Sequence, residues 1–212
     1  VAAETFLFEA LSEKAQQAAL DRYRYCWADY DWWDNTYEDA ARMAEILGIE
    51  IDKHYGKAGN GPKIFFSGFC SQGDGACFLG WYRPKGDVLS AMKAECTDET
   101  LISLAERLTV LGVTLALYPG FEELKARITA NDRYCHSGTM QFSIEYEPQG
   151  IDSFDDFPAA HTDDEIESCM REFADWIYQQ LEAEHDYLIS DEYLKERFAE
   201  DETKFDEDGA MI

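Results

Sequence analysis

Basic residues are scarce in this chain: 18 Lys and Arg stand against 44 Asp and Glu over 212 residues, a formal net charge of −26. A field of that sign repels DNA, RNA and anionic lipid. It also exceeds the roughly 2 to 8 units of charge that suffice to keep a small domain soluble. The partner it attracts is a positively charged protein surface, and the positively charged proteins of a cell are those that bind nucleic acid. Apolar runs of about 18 residues, the length that spans a bilayer, are lacking as well. Val1–Phe6 shows no basic segment leading into an apolar one of signal-peptide length. The expectation is a cytoplasmic protein with no membrane contact and no direct nucleic-acid binding.

The six cysteines, Cys26, Cys70, Cys77, Cys96, Cys135 and Cys169, lack metal-site spacing, since neither Cys-x-x-Cys nor His-x-x-x-His occurs. Dispersed over a chain large enough to fold without covalent staples, they read as free thiols in a reducing compartment. Zinc held by Cys70, Cys77 and Cys135 with His136 is therefore not expected, nor is any cofactor. Cys135 or Ser71 with His136 as base would make a nucleophile pair, but no nucleophile elbow surrounds either. No catalytic residue is assigned, and the chain is not expected to be an enzyme.

Material for a core is ample, at 46% hydrophobic and 14% aromatic residues, which excludes disorder throughout. After Ser12, the spacing of Ala15, Ala19, Tyr23, Cys26 or Trp27 and Tyr30 gives one buried helix face. Asp34 caps a second helix with the stripe Tyr37, Ala41, Ala44 and Leu47, stopped at Gly48. Ile49–Asp52 then alternates as a strand. The runs Lys63–Phe69 and Ala76–Tyr82 flank the turn-forming stretch Cys70–Gly75 and predict an antiparallel hairpin. A short helix follows from Asp87, and another starts at Thr97 on Leu101, Leu104, Ala105, Leu108 and Leu111, with Gly112 as its stop. Phe121–Thr129 and Thr139–Glu147 read as further strands, and Glu147–His161 as a loop. Thr162-Asp163-Asp164-Glu165 is a capping box for a long helix carried by Ile166, Met170, Phe173, Ile177, Leu181 and Leu188, and a final helix begins at Ser190. The fold class is α+β, an antiparallel sheet of about four to five strands covered by helices. Residues 1–199 are expected to form a single domain, acidic and helical from about residue 162, with 200–212 a flexible acidic tail that has little to bury.

The charge is not spread evenly. Residues 145–212 hold 23 acidic and 4 basic residues, a net of −19, against 21 and 14, a net of −7, in the first 144. On a helical wheel of about 100° per residue, Asp164, Glu167, Asp175, Glu182 and Asp186 fall opposite the apolar stripe. At 1.5 Å per residue they extend over about 33 Å, close to one turn of B-DNA. An amphipathic helix ordinarily exposes charge on its outer face, but one that carries so few balancing Lys and Arg is destabilised by like-charge crowding, which sets a role in partner binding level with mere solvation. Trp32 and Trp33, at the end of an aromatic run from Tyr23, are the second candidate for a protein interface, although such a run is more often core. The remaining constellation is Ser71-Gln72-Gly73-Asp74-Gly75, whose glycines would let backbone N–H groups face a ligand. It lacks the ending of a phosphate loop and the spaced carboxylates of a calcium loop, so a structural turn is the simpler reading.

Several words along the chain resemble a family of phage and prophage proteins labelled antitoxins of a toxin–antitoxin stability system. They are Phe8–Ala15, Tyr37–Ala40, Ile46–Asp52, Phe66–Phe69, Ser71–Phe78, Phe173–Tyr178 and Leu181-Glu182, with Ser-Gln-Gly-Asp-Gly-Ala the most specific. The resemblance implies a phage context and residence in the host cytoplasm, and it carries no catalytic residues. By analogy with small acidic phage proteins, it points to an inhibitor or antitoxin that engages a basic nucleic-acid-binding protein, such as a toxin or a host CRISPR or restriction effector, as a DNA mimic. The alternative is a small-molecule or nucleotide-binding enzyme built on the loop of Ser71, Gln72 and Asp74.

Overall fold

The structure is a computed structural model and describes residues 4–28, 31–54, 61–118, 121–130, 134–148 and 159–212. Tyr30 and most of the expected Glu147–His161 loop lie outside the described residues. In chain order the helices are α1 (Glu13–Tyr23), α2 (Asp34–Leu47), α3 (Val88–Glu95), α4 (Glu99–Leu117), α5 (Ala159–Leu188) and α6 (Asp191–Glu200). The strands are β1 (Ile49–Ile51), β2 (Ile64–Phe66), β3 (Ala76–Phe78), β4 (Gly80–Tyr82), β5 (Phe121–Ala130) and β6 (Met140–Pro148). Where the sequence reading had one domain and a tail, the chain groups into two compact units: Asp34–Gln180, and Val1–Trp33 together with Leu181–Ile212.

The larger unit is α+β. Its main sheet is antiparallel in the order β1-β4-β5-β6, with β2 and β3 paired separately. Period-two alternation sends Leu124, Ala126 and Ile128 of β5 into the core and leaves Lys125 and Arg127 on the open face. Helices cover the inner face with Leu101, Leu104 and Leu108 of α4 and Ile166, Met170 and Phe173 of α5, all buried. The run Ala76–Tyr82 is divided between the two sheets, where the sequence predicted one hairpin strand. Leu79 is the divide: its N–H donates to Lys63 O (3.0 Å) and its carbonyl accepts from Asp52 N–H (2.8 Å).

Two glycines allow close approaches near the end of α2. Gly48 takes φ +87° and ends α2 as expected, and Arg83 N–H donates to its carbonyl at 3.0 Å. Gly112, predicted as a stop, lies inside α4, which continues to Leu117. A Cβ there would sit 2.7 Å from Lys85 O, so this glycine serves packing rather than termination. The buried stripe of α2 is Ala40, Met43, Ala44 and Leu47, rotated from the expected one, because Ala41 faces an open cleft. The capping box also differs from expectation, since α5 begins at Ala159 and Thr162 is a buried residue within it. Among the described residues α4 is the one helix long and apolar enough to cross a membrane. Its Leu101, Leu104, Leu108, Leu111 and Leu115 are nonetheless buried within the protein, as in a core helix.

The smaller unit closes around Phe8, Leu11, Ala15, Ala19, Leu20, Leu194, Phe198 and Phe205. Ser12 and Ser190 cap α1 and α6 by accepting from Ala15 N–H and Tyr193 N–H. The expectation that residues 200–212 have little to bury is corrected here. Phe205 is fully buried, with its ring 5.0 Å from Phe198, and its backbone pairs with Phe6 in both directions at 2.8 and 2.9 Å. Met211 N–H donates to Tyr23 Oη at 2.7 Å. One aromatic side chain among seven charged neighbours was enough to anchor the segment. Phe205→Ala is expected to cost about 3–5 kcal/mol in urea unfolding, the range for emptying a core aromatic site; a loss below about 0.5 kcal/mol would mark the segment as loose surface.

Candidate functional site

The acidity of α5 is divided by the few cations that reach it. Glu165, Ser168 and Glu172 stand at spacings of three and four, so they share one flank of the helix. Arg107, the lone basic residue of α4, meets all three: Nε donates to Glu165 Oε1 at 2.7 Å, Nη2 to Ser168 Oγ at 3.0 Å, and Nη1 to Glu172. The hydrogen bond from Arg107 holds the Glu165 carboxyl below the ordinary glutamate range. On another flank, Glu167 pairs with Arg171 at 3.1 Å. Arg171 in turn donates to Ser137 O at 2.6 Å and lies 4.9 Å over the Phe142 ring.

What remains in the larger unit is Asp164 and Asp175, both exposed and without an ion pair among the described residues. Eleven residues apart, they project in nearly the same direction with about 16 Å of helix between them. Of the expected row, then, these two carboxylates are free and Glu167 is partly neutralised.

In the smaller unit, Glu182 is half-buried and Asp186 exposed, with His185 Nδ1 3.9 Å from the Asp186 carboxylate. Trp32 and Trp33 are half-buried. Their rings pack edge to face at 5.7 Å, and Trp32 lies 5.6 Å from the His185 ring. Sequence reasoning missed an aromatic and acidic cluster here. Tyr187 and Tyr193 pack edge to face at 5.0 Å, and the Tyr187 hydroxyl is raised above its ordinary value by desolvation and by Glu196, Glu192 and Glu184. The signal was the spacing of these acids around two tyrosines on adjoining helices, which wheel analysis of one helix does not bring together.

The glycine loop is engaged by its own atoms. Asp74 Oδ2 accepts from Cys70 N–H at 2.9 Å and Ser71 N–H at 2.7 Å, while Asp74 N–H donates to Ser71 O at 3.1 Å. Gly75 N–H donates to Ser67 Oγ, and Tyr178 Oη donates to Gly68 O. Four N–H groups that an anion cradle would need are thus occupied; Ser71 and Gln72 are exposed side chains on this turn. Cys77 lies beneath it, its thiol pushed up to about 12 by burial, with Cys135 alongside. Burial likewise pushes Cys169 up to about 12. Thiols held protonated in this way are poor nucleophiles. Among the described residues, no three His, Cys, Asp or Glu side chains are grouped to hold a metal ion.

Residues 32–191 match the profile of a family described as Domain of unknown function (DUF8835), and the chain belongs to that family. No curated protein and no solved structure matches it.

The Arg107–Glu165 pair generates a prediction about acid stability. A carboxyl depressed in the folded state contributes fully above its ordinary value of about 4.3 and loses that contribution as pH falls through the folded value. Urea midpoints measured downward from about pH 4.3 should therefore fall less steeply for Glu165→Gln than for the parent chain. Parallel acid limbs would mean that the pair adds nothing.

Proposed function

We propose that this protein is an acidic inhibitor or antitoxin that binds the basic surface of a nucleic-acid-binding protein through carboxylates left without internal cations. The observation that carries the reading is the division on α5: Arg107 and Arg171 engage Glu165, Glu172 and Glu167, while Asp164 and Asp175 are exposed and have no ion pair among the described residues. Glu182, Asp186, Trp32 and Trp33 belong to the smaller unit and are a separate set of candidates there. Spacing refines the DNA-mimic version of this idea. One DNA strand places a phosphate about every 3.4 Å along the axis, whereas Asp164 and Asp175 are about 16 Å apart along the helix. A set of separate charge contacts fits that spacing better than imitation of a continuous phosphate row. The resemblance to phage antitoxins supports the same role in a host cytoplasm. The enzyme alternative has less behind it, because Asp74 occupies the N–H groups its loop would offer to a ligand.

The test is affinity capture from host lysate, followed by binding measurements on the isolated partner at low and moderate salt. Replacing Asp164, Asp175 and Asp186 with Asn and Glu167 and Glu182 with Gln should weaken binding by about 100-fold or more, since interfacial charge pairs couple by roughly 1.5 kcal/mol or more. Duplex DNA should displace the wild-type protein. A fivefold variant that binds as tightly as wild type at both salt concentrations would sink the reading.

A further inference from the structure

A cleft whose lining is rich in cations lies in the larger unit. Residues 42–93 hold seven of the chain's 18 Lys and Arg and only five of its 44 Asp and Glu, so 52 residues of a −26 chain carry a net charge of +2. The fold gathers five of these cations, Arg42, Lys53, Lys63, Arg83 and Lys85, around an open cleft of about 1100 Å³ between α2 and β1. Four carboxylates also line it; two are matched, one of them by a cation of the cleft itself, and Arg42 is taken up by Asp39 and Glu95. Asp52 is held by both Nη atoms of Arg127, at 3.1 and 2.7 Å, and Glu50 pairs with Arg83 at 3.3 Å. The Arg127 hydrogen bonds keep Asp52 below the ordinary aspartate range. Lys85 caps the end of α2 by donating to Glu45 O. Lys53 and Lys63 have no ion pair among the described residues.

We infer that this cleft binds a small phosphate-bearing molecule. Lysine ammonium groups are mobile point charges suited to phosphate oxygens, and Lys53 and Lys63 are free to reach one. The volume exceeds what a bare ion needs and suits a nucleotide-sized ligand. Glu38 and Glu45 on the α2 wall add acceptors for hydroxyl or amino groups on its uncharged part. The chain's overall charge does not prevent this, because at physiological salt fields fade over about 8 Å, and with both arginines of the cleft taken up by carboxylates the positive sign left to a ligand is that of Lys53, Lys63 and Lys85.

The site is tested by NMR titration of the full chain with inorganic pyrophosphate, ATP and adenosine. Pyrophosphate and ATP should give saturable shifts at residues 53, 63 and 83, and adenosine none. The Lys53→Gln/Lys63→Gln variant should raise the Kd for ATP about tenfold or more, with its urea midpoint unchanged. Exposed Lys53→Gln alone should show a smaller rise in the same direction and covers the case in which the double variant does not fold. Lys125→Gln, on the open sheet face where Lys125 pairs with Glu123 and Glu147, should bind ATP as wild type does. Absence of saturable shifts with both anions, equal shifts with adenosine, or an unchanged Kd in the lysine variants would each overturn the assignment.

Discussion

The Arg107 guanidinium, reaching Glu165, Ser168 and Glu172 with all three of its nitrogens, is the contact on which the charge pattern of the larger unit depends. Helices α4 and α5 already share a core of leucine, isoleucine and phenylalanine, and burial of that kind is not directional. The guanidinium fork adds direction, because three nitrogens in one plane meet one flank of α5 in a single rotation about its axis. With the rotation fixed, Phe173 and Ile177 face inward, and Asp164 and Asp175 face outward. Cations are few, and on α5 Arg107 and Arg171 decide which carboxylates stay free.

The same scarcity explains the other side of the unit. Cations absent from the acidic helix are concentrated between Arg42 and Lys93, and the chain path brings them together. The segment Arg83–Lys85 passes the end of α2 at Gly48 and the side of α4 at Gly112, where any side chain would collide with backbone oxygen. Arg83 and Lys85 are thereby set beside β1, next to Lys53 and Lys63. A strongly acidic protein can in this way keep a local site of positive sign, provided that the pairs within it are short and the solvent screens the rest.

Much of this was legible in the sequence. The helix starts at Ser12, Asp87 and Ser190, the apolar stripe of α5 and the edges of β5 and β6 follow from local spacing. Failures came where a distant contact outvoted the local signal. Gly112 reads as a helix stop unless Lys85 is known to lie against it, and Phe205 reads as an isolated aromatic in an acidic tail unless Phe6 and Phe198 are known to wait for it. The acidic face was placed correctly on its helix, but pairing of Glu167 with Arg171, and of Glu165 and Glu172 with Arg107, thinned it in ways a wheel does not show. Arg107 had one visible mark, a single basic residue in an otherwise leucine-rich helix. The positive cleft had another, a basic interval within an acidic chain.

Under the proposed function, Asp164 and Asp175 serve a partner and do nothing for the fold. Like charges without cations lower stability, so removing them should do no harm. Thermal unfolding of Asp164→Asn/Asp175→Asn measures this directly. The account predicts a Tm equal to or above that of the parent chain, with a weaker rise of Tm on adding salt. A lower Tm at low salt would show that these carboxylates hold the structure together, and would contradict the assignment of this face to binding.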